Sequence, residues 1–220
     1  SEDEIIVSPL GYRSSGQVGA GNSTFAHALL QRAAGRTIVC FFGTVGRMFD
    51  IETVVRFAVS QKTDEDPARQ FYFVFLGWGD YLAHWQKRVA GSPFVEFAGW
   101  VSKDVLDDVA RVSSVALAPY RNTPNFEGHV PNKIMEYMYY GLPIVTCLRG
   151  EVRDIVESNR LGAYYDEGDL INFGSALRRA ASLDADASRR AKEYFRANFD
   201  AEVIYRRLLE EIKARQSGVG

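Results

Sequence analysis

TIVCFFGTVGRMFDIETVVRFAV, residues 37–59, changes its periodicity part-way along, and that change decides the fold. Thr37 to Phe42 is an unbroken β-branched and aromatic run, the pattern of a strand covered on both faces. Ile51 to Val59 instead places Ile51, Val54, Val55 and Ala58 on one side of a helix. A strand that passes through a short glycine-bearing loop into a helix is one βα unit of a parallel sheet.

The same cycle repeats outward from this stretch. Strands are expected at Phe71 to Leu76, Phe94 to Ala98, Val115 to Ala118 and Ile144 to Cys147, with helices at Tyr81 to Val89, Ser102 to Val112 and Asn132 to Tyr140. Beyond Gly150 follow a short helix, a strand at Gly162 to Tyr165 and three helices reaching Ala214. Asp200 caps the last of these, which carries Val203, Ile204, Leu208 and Ile212 on one side. Upstream, Ser23 to Ala34 reads as a helix capped by Asn22 or Ser23. The expectation is an α/β, Rossmann-like, three-layer domain, residues 1–220, with a parallel sheet of about six strands and additional C-terminal helices.

Composition narrows the function classes. The 220 residues are 46% hydrophobic and 25% charged, enough for a real core, and the formal net charge of −2 argues against nucleic acid or an anionic membrane as the main partner. No apolar run is long enough to span a bilayer, and the acidic start, Ser-Glu-Asp-Glu, is unlike a signal peptide. Cys40 and Cys147 both sit in apolar β-rich runs, so they read as reduced, buried residues in a cytoplasmic protein.

Ligands of an open parallel sheet bind at the carboxyl ends of its strands, and there the sequence is informative. The first three strands run into Gly43, Gly77 and Gly99, which either let a ligand approach the backbone or simply turn the chain. Gly43-Thr-Val-Gly46-Arg47 can offer backbone N–H groups and a guanidinium to a diphosphate, although Arg47 reads equally as a solvated loop residue. Pro131-Asn132-Lys133-Ile134-Met135-Glu136-Tyr137 opens a helix with a lysine at its positive end, which is unfavourable unless an anion binds there. Glu136, one turn on, can accept two hydrogen bonds from a vicinal diol; the bland alternative is a surface Lys–Glu pair. Asp64-Glu-Asp66 lies at the wrong end of the sheet for a metal site, Asp184-Ala-Asp186 reads as capping, and His27, His84 and His129 are too scattered for a metal cluster. Of the three only His129 falls near the crevice.

With these residues in place the chain resembles the carboxy-terminal, donor-binding domain of a family 4 glycosyltransferase, one half of a GT-B fold. VSPLGYR (7–13) is similar to the segment entering that domain, FFGTVGRMFDIETVV to its first strand, phosphate loop and helix, and FVFLGWGD (73–80) to its second strand. FAGWVSKDVLDDVARVSSVALAPY is similar to the stretch around its nucleobase pocket, and PNKIMEYMYYGLPIV to its ribose-binding segment.

The resemblance implies a retaining transfer of sugar from a nucleoside diphosphate sugar to an acceptor, with no metal and no other cofactor. It assigns Arg47 and Lys133 to the diphosphate, as the groups that assist catalysis, and Glu136 to the ribose. Gly43, Gly46 and Asn132 join the donor site, and Trp100 and Val101 border the base. The family's earlier glutamate, eight residues before the second, falls here on Gly128, so Glu127 is its nearest substitute; the usual second lysine of the phosphate loop is absent, since Met48 to Val55 holds no basic residue. The resemblance further implies an amino-terminal acceptor domain outside this chain, toward which the helix of residues 200–216 packs, and an isolated domain inactive in transfer. Any peripheral membrane contact falls to that other domain, and polysaccharide or another glycoconjugate is the expected product class. Two other readings stand beside this one: a non-catalytic Rossmann-like nucleotide-binding module, and a sugar-nucleotide epimerase of the GT-B type.

Overall fold

The computed structural model describes residues 11–12, 23–64 and 66–217. Most of the VSPLGYR segment, Asn22 and Glu65 lie outside those residues. The six strands are β1 (Thr37–Phe42), β2 (Phe71–Leu76), β3 (Val95–Gly99), β4 (Val115–Ala118), β5 (Ile144–Thr146) and β6 (Gly162–Tyr164). They form one all-parallel sheet in the order β3-β2-β1-β4-β5-β6, with register Val39↔Phe73 on one side of β1 and Val39↔Val115 on the other. This is the α/β Rossmann-like architecture that the alternating pattern implies. β2 is buried at all six positions and β1 at five of six, which is why their apolar runs do not alternate.

Ten helices connect and cover the strands among the described residues: α1 (Thr24–Ala33), α2 (Ile51–Ser60), α3 (Leu82–Arg88), α4 (Lys103–Val112), α5 (Pro124–Glu127), α6 (Asn132–Tyr140), α7 (Glu151–Ser158), α8 (Leu170–Ala181), α9 (Ala187–Asn198) and α10 (Ala201–Ser217). α2 and α8 pack together over one face of the sheet, where Phe57 meets Phe173 edge-on at 5.3 Å. α4 lies on β1 and α6 on β4, with α1 against α4 and α9 against α6. Ser23 caps α1 by accepting from the Ala26 N–H at 3.2 Å, and Asp200 starts α10 by accepting from the Glu202 N–H at 2.9 Å. Asp184 accepts from the Asp186 N–H at 3.0 Å and pairs with Arg190 in the first turn of α9 at 2.7 Å, a local tie at that helix start.

The first βα turn is fastened to the far end of the chain. Asp50, buried, caps α2 through the Thr53 hydroxyl at 2.9 Å and also accepts from the Gly168 N–H at 3.1 Å, beyond β6. A carboxylate this deep is held in place by several donors, and here they join both halves of the sheet. Cys40 and Cys147 are free and buried, and burial pushes both thiols up. Among the described residues, no helix is long and apolar enough to cross a membrane.

Candidate functional site

Strand order reverses between β1 and β4, so the loops leaving these two strands diverge and open a crevice. A cleft of about 400 Å³ lies there, walled by Gly43, Thr44, Met48 and Phe49 after β1, Tyr120 after β4 and Phe126 of α5, with Asn132, Lys133 and Glu136 of α6. No side chain caps the amino terminus of α6, which leaves its first backbone donors available to the cleft. Pro131 is its cap residue, with Asn132 exposed beside it.

Lys133 is only 8% exposed. Its ammonium lies over the faces of Phe41 at 4.3 Å and Phe49 at 5.4 Å, a cation–π seat made by β1 and the loop that follows. Among the described residues no protein oxygen lies within hydrogen-bonding reach of it. Gly43, at φ 127°, makes the seat possible, because a Cβ there would overlap the ammonium itself. Burial lowers the Lys133 pKa to about 8, with Glu136 opposing the shift. The Glu136 carboxyl is raised by burial, and Lys133 and then Lys103 oppose this. The two groups therefore form an electrostatic pair in a partly dry cleft, with an ammonium whose hydrogen bonds are unused.

The remaining residues expected at the site divide into two sets. Gly43, Asn132, Lys133 and Glu136 share the cleft. Gly46 and Arg47 lie on the same loop, but the Arg47 guanidinium is exposed, donates to the Tyr81 hydroxyl and stacks on that ring at 5.4 Å. Glu127 is exposed at the end of α5, and its neighbour Phe126, not Glu127, faces the cleft. Trp100 is 76% exposed on the loop after β3 and Val101 is half-buried against the core. His129 is exposed, with its ring 5.5 Å from that of Phe126. Asp66 caps a 3-10 turn by accepting from the Ala68 N–H, and no group of three or more metal-ligating side chains occurs among the described residues.

The sequence model of the family described as glycosyl transferases group 1 matches residues 36–182, a span that contains the whole cleft. The chain belongs to this family. Its relatives include the amylovoran biosynthesis glycosyltransferase AmsK of Erwinia amylovora, 25% identical over 150 residues that cover 64% of this chain and 36% of AmsK. The putative colanic acid biosynthesis glycosyltransferase WcaL of Escherichia coli is 29% identical over 89 residues, 39% of this chain and 22% of WcaL. Among solved structures, sucrose-phosphate synthase from Thermosynechococcus elongatus superposes with a TM-score of 0.70 at 17% identity, covering 96% of this chain and 52% of that one. HepE from Anabaena, solved in complex with UDP and glucose, superposes with a TM-score of 0.63 at 15% identity, covering 87% and 52%. The chain thus spans about half the length of these structures and less of the curated relatives.

For this group 1 domain, reading the sequence missed Thr44, Met48, Tyr120 and Phe126 as cleft walls. Trp78, 70% exposed, follows β2, the strand next to the one that leads to Trp100, and does not line the cleft. None of the four walls carries a charge, and no motif marks them in the sequence.

Proposed function

We propose that this chain is the donor-binding half of a two-domain retaining glycosyltransferase, with its switch-point cleft holding the diphosphate and ribose of a nucleoside diphosphate sugar. The observation that carries this reading is the Lys133 ammonium, seated on two aromatic rings beside an uncapped helix amino terminus with no protein acceptor. A cation kept in so dry a place without a hydrogen-bond acceptor suits an anionic ligand. The complex of HepE with UDP and glucose supports a nucleotide sugar as that ligand. Glu136, one turn further into the cleft, then accepts from the ribose hydroxyls, while Trp100 and Val101 border the base.

In the proposed reaction the bond between the anomeric carbon and the β-phosphate oxygen lengthens, and negative charge accumulates on the departing diphosphate. Lys133 and the first backbone N–H groups of α6 stabilise that charge from within the cleft, and Arg47 leaves Tyr81 to reach it from the loop. Removing one such donor, by Arg47→Ala or Lys133→Ala in the full-length enzyme, is expected to slow transfer about a hundredfold. The acceptor is held by a second domain, and Tyr205, Leu209 and Ile212, exposed on one side of α10, are the surface it covers. Polysaccharide is the product class suggested by the names of AmsK and WcaL. Calorimetric titration of the chain with UDP, GDP and their sugars tests the reading directly: heat from none of them refutes it.

A further inference from the structure

One wall of the cleft is a chain of aromatic rings. Phe41 meets Phe49 at 5.1 Å, Phe49 meets Tyr120 at 4.7 Å and Tyr120 meets Phe126 at 5.0 Å, so the rings run from β1, under the Lys133 ammonium, out to α5. The backbone fixes the middle of this chain, where Phe49 and Tyr120 form an antiparallel bridge and the Arg121 N–H donates to the Met48 carbonyl at 2.8 Å. The exits of β5 and β6 fix its outer end. The Asn122 side chain donates to the Cys147 carbonyl and accepts from the Arg149 N–H, both at 2.8 Å. Glu167 accepts from the Arg121 guanidinium at 2.6 Å and from the Asn122 N–H at 3.2 Å. Gly150, at φ 67°, lies so close to the Glu127 carbonyl that a Cβ would overlap it. A roll of α5 that brought Glu127 inward would break this packing, and the half-buried Phe126 ring is what the segment presents to the cleft.

Phe126 stands on the segment that leads into α6, Lys133 in the first turn of that helix and Glu136 one turn further on. The ammonium therefore separates the ring from the carboxylate along this wall. With the diphosphate at Lys133 and the ribose at Glu136, the group left for Phe126 is the one carried by the outer phosphate, the sugar. A pyranose has hydroxyls around its rim and C–H bonds on its face, and such a face is complementary to an aromatic ring held in a fixed direction. We infer that Phe126 is the platform of the donor-sugar subsite: its ring stacks on the C–H face of a pyranose, and the exposed His129 ring, 5.5 Å away, supplies a polar edge for a hydroxyl. This rests on the reading of the cleft as a nucleoside diphosphate sugar site. The stack adds to the affinity for the sugar and nothing to that for the nucleotide, because it touches only the former.

The test is calorimetry on the whole chain with UDP, UDP-glucose, UDP-galactose, GDP and GDP-mannose. Phe126→Leu keeps an apolar side chain but removes the ring face. It is expected to weaken whichever sugar form the unmutated protein binds about three- to tenfold, the weight of one ring stack, and to leave the parent nucleotide unchanged. Phe126→Tyr, which restores the ring, is expected to retain the affinity of the unmutated protein. Equal weakening of nucleotide and nucleotide sugar, weakening of neither, or a loss in Phe126→Tyr as large as that in Phe126→Leu overturns the inference. Binding of a parent nucleotide by the unmutated protein with no binding of any sugar form also overturns it, while leaving the nucleotide site standing. Binding of none of the five ligands overturns instead the donor-site reading on which it rests.

Discussion

The exits of β1 and β2, neighbours in the sheet, both end in glycine, and the two glycines make room for different things. At Gly43 the missing side chain admits the Lys133 ammonium; at Gly77, φ 145°, it admits the Gly43 carbonyl. Gly43 shapes the cleft, whereas Gly77 lets the β2 exit lie flat on the β1 exit, where the Val45 N–H also reaches the Trp78 carbonyl at 2.8 Å. One exit is built around a charge and the other around backbone contact. An identical residue at an equivalent place therefore predicts nothing about function until its neighbour is known.

The most damaging way to probe this contrast is Gly77→Ala. A Cβ against a backbone carbonyl has nowhere to go, and a stability loss on the order of 3–5 kcal/mol is expected from urea denaturation. Lys133→Met should do the reverse, raising stability by on the order of 1–3 kcal/mol at pH 7 while nucleoside diphosphate binding disappears, because a desolvated charge is replaced by an apolar chain of similar length. The sign follows from linkage: the folded Lys133 titrates at about 8, below its ordinary 10.5, so the unfolded chain binds more protons between those values. Unmutated stability should therefore gain with rising pH across that window, and the gain should be missing in Lys133→Met. Ligand affinity should run the other way, falling above about pH 8 as Lys133 loses its proton, and falling on the acid side as the raised Glu136 gains one.

Gly43→Ala sharpens the comparison further. Its added carbon meets the end of a flexible side chain, so the stability loss should be only the ~1–2 kcal/mol of a positive φ, with nucleotide binding reduced far more than stability. Equal losses of stability at Gly43 and Gly77 would erase the distinction between the two exits. The smallest expected effects are those of Trp78→Ala and Trp100→Ala, both so exposed that stability should move by no more than about 0.5 kcal/mol. A change in base preference confined to Trp100→Ala would support its place at the nucleobase.

The strands were legible because burial on both faces writes itself into continuous apolar runs, and the expected β1, β2 and β4 coincide with those observed. Lys133 and Glu136 were legible as a pair because a helix fixes their separation at one turn. α5 was not: four residues carry no period, and that short helix is what turns Phe126 to the cleft and Glu127 away from it. Arg47 was correctly placed on the loop, but the direction of its side chain depends on Tyr81, thirty-four positions later in the chain.

The sequence by itself determined the alternation of strand and helix, and hence the layers and the end of the sheet where a ligand can bind, because periodicity is local and a parallel sheet has one functional end. Only the tertiary structure decided which distant residues surround the cleft's charges. The seat of Lys133 on Phe41 and Phe49, the fit of its ammonium to Gly43 and the tie of Asp50 to Gly168 join segments far apart in the chain. Such contacts depend on strand order and crossing geometry, which no local pattern of residues encodes.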